Sequence, residues 1–206
     1  PDIARHIIRN TGYPKEVFDA DACTIMTSFV DHTATDYLSY DLDNMDDAAI
    51  DKIPVRQQAS VFGYACDQTP ALMPLPIWLA HRLADRLDSP RVADKLPWLL
   101  PDGETQAGIE YLGGKPGRIH SITLVATQTT PDAVDLEQLR EDIRREVVDP
   151  VLKKEKLKPD AETRIFINPG GARTGGGPAV HSGLTGRKTG IDTYGGYARH
   201  SGAALS

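Results

Sequence analysis

The 206-residue sequence predicts an α+β fold. Residues 105–112 and 119–127 alternate apolar with polar positions on either side of Gly113-Gly114-Lys115-Pro116-Gly117, the pattern of a hairpin and its turn. Residues 74–87 and 135–148 instead repeat their apolar positions at helical spacing, with Leu136, Leu139, Ile143 and Val147 as the second stripe. With residues 58–66 and 164–167 read as strands, the order becomes strand, helix, strand, strand, helix, strand. This βαββαβ pattern packs both helices on one face of an antiparallel-rich sheet.

Taken in order, the chain opens with a helix whose Ile3, Ile7 and Ile8 share one face and which Gly12 caps. Residues 22–30, Ala22-Cys23-Thr24-Ile25-Met26-Thr27-Ser28-Phe29-Val30, are apolar enough to predict a buried strand. Residues 31–51 hold seven aspartates with almost no periodicity. They predict a solvated loop, mobile or with few buried contacts, because so many carboxylates cannot share a dry core. The regular pattern starts at residue 58 and ends at 168, the length of one folding unit.

Hydrophobic residues make up 40% and charged residues 25% of the chain, which fits an ordinary soluble globular protein. No apolar stretch is long enough to span a bilayer, and the start does not read as a signal peptide. Cys23 and Cys66 match no metal-ligand spacing and read as free thiols of a cytoplasmic protein. A net charge of -6 without a basic stripe argues against nucleic acid as a partner. The first residue is Pro1, already inside a helical pattern, and the last is Ser206, directly after a glycine-rich region. Both ends read as cut from a longer chain.

Eleven of the 18 glycines fall between Gly170 and Gly202. They surround Arg173, Arg187, Lys188 and Arg199, while Asp192 is the only acid after Glu162. Glycine lets a ligand approach main-chain N–H groups, and such groups backed by cations suit polyphosphate. A flexible loop is the plain alternative. Ordered-looking segments such as Arg164-Ile165-Phe166-Ile167-Asn168-Pro169 and Gly190-Ile191-Asp192-Thr193-Tyr194 interrupt the glycines and disfavour it.

Longer motifs carry a resemblance. Phe62-Gly63-Tyr64-Ala65 with Leu72-Met73-Pro74, then Leu96-Pro97-Trp98 with Pro101-Asp102 and Thr105-Gln106, precede Phe166-Ile167-Asn168-Pro169. Gly176-Gly177-Pro178, Gly183-Leu184-Thr185-Gly186-Arg187-Lys188, Asp192-Thr193-Tyr194-Gly195-Gly196 and Ala198-Arg199-His200 follow. In order and spacing this resembles the S-adenosylmethionine synthetase (methionine adenosyltransferase) family over essentially the whole chain, most weakly in the first fifty residues. The resemblance implies ATP and L-methionine as substrates, magnesium and potassium as cofactors, and a homodimer or dimer of dimers.

It also implies site residues. Arg187 and Lys188 fall on the family's phosphate-binding pair and, with His181, are the expected catalytic residues. Asp102, Glu104, Arg173 and Ala204 join Arg187 and Lys188 as expected nucleotide-binding positions. On sequence alone Asp102 reads at least as well as a turn residue after Pro101; for Arg187-Lys188 the plain alternative is a solvated surface pair, which the surrounding glycines disfavour. Three segments follow: 1–57 as a partial domain with the acidic loop, 58–168 as the central domain, and 169–206 as a nucleotide-binding segment returning to the first.

The chain also departs from the family. Arg56-Gln57-Gln58-Ala59 stands where the family reads GDQG, so Gln57 replaces a carboxylate. Glu104 stands at a lysine, where its carboxylate is expected to weaken phosphate binding. Ala172-Arg173 replaces an Arg-Phe pair, returning a cation one position along, and His181 stands where many members have Asp. The family's HPDK and GKDP segments have no counterpart among these 206 residues, so no metal ligand is assigned here. These departures leave a second reading, a degenerate nucleotide-binding or regulatory subunit of the same family.

Overall fold

The structure, a computed structural model, describes residues 1–29, 41–53, 62–178, 180, 181, 183 and 190–199. Its centre is a hairpin of β1 (Leu99–Leu112) and β2 (Lys115–Gln128). Gly113 and Gly114 connect them at φ 58° and 78°. Two consecutive left-handed residues match the twist of the flanking strands, and glycine reaches that region without strain. The turn is therefore these two residues, and Lys115, Pro116 and Gly117, expected in the turn, belong to β2.

β3 (Arg164–Ile167) runs parallel to β2 along Ser121–Leu124, giving the strand order β1-β2-β3. A parallel pair needs a long crossover, and a helical stretch provides it. That stretch comprises α5 (Leu136–Ile143), a π-helical segment (Arg144–Val148) and α6 (Asp149–Lys154). Asp135 caps its start, accepting from Gln138 N at 2.8 Å. The helix expected to stop at 148 thus continues to Lys154. Pro150 has no N–H to give to the Glu146 carbonyl and would crowd it, so the ladder widens there. Asp149 N bonds to Arg144 O, five residues back, and Arg86 Nε donates to the released Glu146 carbonyl at 2.8 Å.

Both main helices cover the same face of the sheet. Leu75, Leu79, Leu83 and Leu87 form the buried stripe of α3 (Leu75–Leu87), followed by the short α4 (Pro90–Lys95). Leu79, Leu83, Leu87 and Val92 share one core with Ile119, Ile122, Leu124 and Ala126 of β2 and with Leu139, Ile143 and Val147. Ile119 and Ile122 are three apart yet face the same way. Gly108 pairs with Ser121 and Ile109 with Ile119, so His120 is an extra residue and its bulge restores the inward register. Leu83→Ala, at a fully buried position, is expected to cost about 3 kcal/mol in urea unfolding.

Two expected strands are corrected. In the segment expected at 58–66, residues 62–66 join no ladder, and 58–61 lie outside the described residues. Tyr64 instead makes edge contacts with Tyr194 and Tyr197, at centroid distances of 5.6 and 5.7 Å. In the segment expected at 22–30, residues 22–29 form no strand, Met26 and Phe29 are exposed, and Val30 lies outside the description. An apolar run becomes a strand only against a ladder partner, and neither segment meets one among the described residues.

α1 (Asp2–Thr11) forms as expected, with Gly12 at φ 87° donating to Arg9 O. Its Ile3 and Ile7 remain exposed. Residues 31–40 of the acidic stretch lie outside the description. Residues 41–51 contain a 3-10 turn (Leu42–Asn44) and α2 (Asp47–Ile50), whose N-cap Asp46 accepts from Ala49 N at 2.8 Å. Asp46 is thus a helix cap, and residues 41–51 are not a plain loop.

Candidate functional site

Successive residues of a strand point to opposite faces. A Cβ on Gly103 would lie 2.2 Å from Leu87 Cδ2, so Gly103 faces α3. Its neighbours Asp102 and Glu104 consequently share the opposite face. The glycine-rich segment reaches that face because β2 is extended along its β3 side by three successive attachments. Asn168 N donates to Leu124 O at 2.9 Å. The Asn168 side chain then takes the place of a strand against Ala126: Oδ1 accepts from Ala126 N and Nδ2 donates to Ala126 O, each at 2.8 Å. Finally Gln128 N donates to Arg173 O at 2.9 Å, and Gln128 bridges Thr174.

From that anchor the chain crosses to β1. Gly177 N donates to Asp102 Oδ1 at 3.0 Å, and Tyr13 Oη donates to the same oxygen at 2.9 Å. Asp102 Oδ2 is buried without a partner among the described residues. It lies against Gly176, where an added Cβ would sit 1.9 Å from it. Gly177 has φ 71° and presses on the Tyr13 ring, so it too requires glycine.

Burial, then the Asp102 carboxylate, push the Tyr13 phenol up to about 12. Because this lies above the unfolded value, the contribution of Tyr13 to stability is complete below about pH 10 and is lost as pH rises through 12. Tyr13 is therefore a donor throughout the neutral range.

Glu104, two residues beyond Asp102, meets Arg173: Nη1 lies 2.5 Å from Glu104 Oε1. On its other side, Arg173 Nη2 is 3.0 Å from His181 Nε2. A guanidinium only donates, so His181 Nε2 is the acceptor in this contact. His181 is itself placed by a turn in which its N–H donates to Gly177 O at 2.8 Å. The Glu104 carboxylate, expected from the sequence to weaken phosphate binding, is thus engaged by a cation.

Of the residues expected in the site, Asp102, Glu104, Arg173 and His181 come together; Arg187, Lys188 and Ala204, like Gln57, lie outside the described residues. Sequence reasoning missed Tyr13 and Asn168. Asn168 stood in the motif Phe166-Ile167-Asn168-Pro169, but that pattern does not indicate a side chain replacing a strand. Tyr13 carried no local signal, because its partner lies 89 residues away.

Two family descriptions match the chain. That of the S-adenosylmethionine synthetase central domain covers residues 52–173, and that of the C-terminal domain covers residues 175–206. The chain belongs to the S-adenosylmethionine synthetase family. The two matches meet at Thr174, the residue that bridges Gln128. Asp102, Glu104 and Arg173 therefore come from the part matching the synthetase central domain, and Gly176, Gly177 and His181 from the part matching its C-terminal domain.

A second feature of this synthetase-family chain is an aromatic cleft of about 730 Å³ beside the hairpin turn. Tyr64 and Tyr197 line it, and Tyr111 stacks on Tyr197 at 5.2 Å. Gln68 Oε1 accepts from both Tyr111 Oη and Leu75 N, tying the cleft wall to α3. Among the described residues no three His, Cys, Asp or Glu are grouped to hold a metal ion. No described helix is long and apolar enough to cross a membrane.

Proposed function

We propose that this protein is a methionine adenosyltransferase, joining ATP and L-methionine into S-adenosylmethionine with release of phosphate and pyrophosphate. The observation that carries this reading is the junction at Asp102. Residues 69 and 75 apart in sequence meet there as Glu104–Arg173 and Asp102–Gly177, on the face crossed by the glycine-rich segment.

In the reaction the methionine sulfur supplies an electron pair to form the S–C5′ bond as the C5′–O bond breaks. Tripolyphosphate leaves with that bond's electrons, and water then splits it. A leaving group so charged needs donors and cations positioned in advance. Arg173 offers a guanidinium, the glycine-rich backbone offers N–H groups, and Arg187 and Lys188 add cations by their motif. Asp102 holds the crossing segment and is the acceptor we assign to the nucleotide. Magnesium and potassium would neutralise phosphate charge when bound. The described residues do not form a site for them, so the work assigned to this chain is that of its own cations and dipoles.

The resemblance further supports a homodimer or dimer of dimers as the working assembly. It also supports the division into residues 1–57, 58–168 and 169–206. A second reading, a nucleotide-binding or regulatory subunit, is favoured by the engagement of Arg173 with Glu104 and by Gln57 in place of a carboxylate.

One assay separates the two readings. The chain is incubated with ATP, methionine, magnesium and potassium, and S-adenosylmethionine, phosphate and pyrophosphate are measured. Stoichiometric formation of all three is expected, lowered at least tenfold by Arg173→Ala, as for loss of a transition-state donor. Binding of ATP with no product supports the second reading, and absence of ATP binding sinks both.

A further inference from the structure

We infer that Glu104 and His181 are positioning residues that clamp the Arg173 guanidinium from opposite sides and turn its remaining donors toward polyphosphate. This rests on the function proposed above and adds to it the groups that orient the cation. Arg173 is fixed at both ends. Its carbonyl accepts from Gln128 N at 2.9 Å, and at its tip Nη1 bonds to Glu104 while Nη2 bonds to His181. A planar guanidinium held at two nitrogens cannot rotate, and its Nε–H, without an acceptor among the described residues, faces a defined direction.

Stability does not explain the arrangement. The Glu104 side chain is 68% exposed and that of Arg173 32%, and an ion pair this open contributes little to folding. The clamp also depends on the junction: His181 is held by Gly177, and Gly177 by Asp102. One set of contacts therefore sets both the crossing segment and the cation it carries.

Two effects of Glu104 on an anion oppose each other. Its carboxylate repels phosphate through space, and its hydrogen bond orients the guanidinium. Exposure lets water and salt screen the first, while the second acts at contact distance. Removing the charge is therefore expected to weaken anion binding, the opposite of what simple repulsion predicts.

The test is calorimetric titration of the full chain with inorganic tripolyphosphate and magnesium at about 0.15 M salt, where exposed charges are screened, with thermal unfolding as a check on folding. Releasing one ordered side chain predicts that Glu104→Gln weakens binding about fivefold. In an Arg173→Ala background the same change should no longer weaken binding, since the orienting effect of Glu104 acts through Arg173. His181→Phe should weaken binding similarly, and His181→Gln, which supplies a neutral acceptor, should recover most of the loss. Tighter binding by Glu104→Gln, or an undiminished effect in the Arg173→Ala background, overturns the clamp while leaving the proposed function standing. If the unaltered chain does not bind tripolyphosphate, the proposed function falls and the clamp with it.

Discussion

Asn168→Ala is expected to destabilise the protein by about 4 kcal/mol, the largest effect of any single polar substitution here. Two causes add. Asn168 is 1% exposed and its side chain satisfies both Ala126 N and Ala126 O, so its loss leaves two buried main-chain groups without partners. Its φ of 45° is also left-handed, which asparagine tolerates and alanine resists. Asn168→Gly separates the two, because it relieves the backbone while still losing both hydrogen bonds. It should cost about 2 kcal/mol, comparable to the desolvation of the groups left unpaired. Urea unfolding of the three proteins is the measurement, and equal midpoints would show that Asn168 does not act as the strand substitute described. Typical domains have only ~5–15 kcal/mol in hand, so the alanine protein is also expected to express poorly.

Gly176→Ala is expected to reduce affinity for a non-hydrolysable ATP analogue more than tenfold while lowering the unfolding temperature by only a few degrees. The new methyl carbon would stand 1.9 Å from Asp102 Oδ2 and 2.5 Å from its Cγ. Asp102 must then move and release Gly177 N and Tyr13 Oη, which detaches the segment leading to Arg187 and Lys188. The hydrophobic core lies on the other face of the sheet, so the fold should survive. Tyr13→Phe, which leaves the Gly177 bond in place, should have a smaller effect. Calorimetry beside thermal unfolding separates the two quantities, and an affinity within twofold of the unaltered chain would remove Asp102 from the nucleotide site.

Glu104 shows how a residue can be found from sequence while its partner is not. Its position beside Asp102 was visible from the motif, and so was the reversal of charge. Its partner was not, because Arg173 is 69 residues away and nothing local links them. The structure turns an expected repulsion into an ion pair. Gly176 differs, because the motif marked its position and the structure shows why glycine is needed there, an aspartate side chain where its Cβ would stand.

By itself the sequence determined the hairpin, the two apolar helix stripes and the cationic glycine-rich segment, because periodicity, turn glycines and composition act over a few neighbouring residues. It could not determine whether residues 22–29 and 62–66 would be strands, since a strand exists only through a partner whose position is set elsewhere. Nor could it determine that an asparagine side chain would replace a strand beside Ala126, or that Tyr13, Asp102 and Gly177 would share one oxygen. Only the tertiary structure decided these, because burial obliges each main-chain and carboxylate group to find its partner from whichever distant segment packing brings within reach.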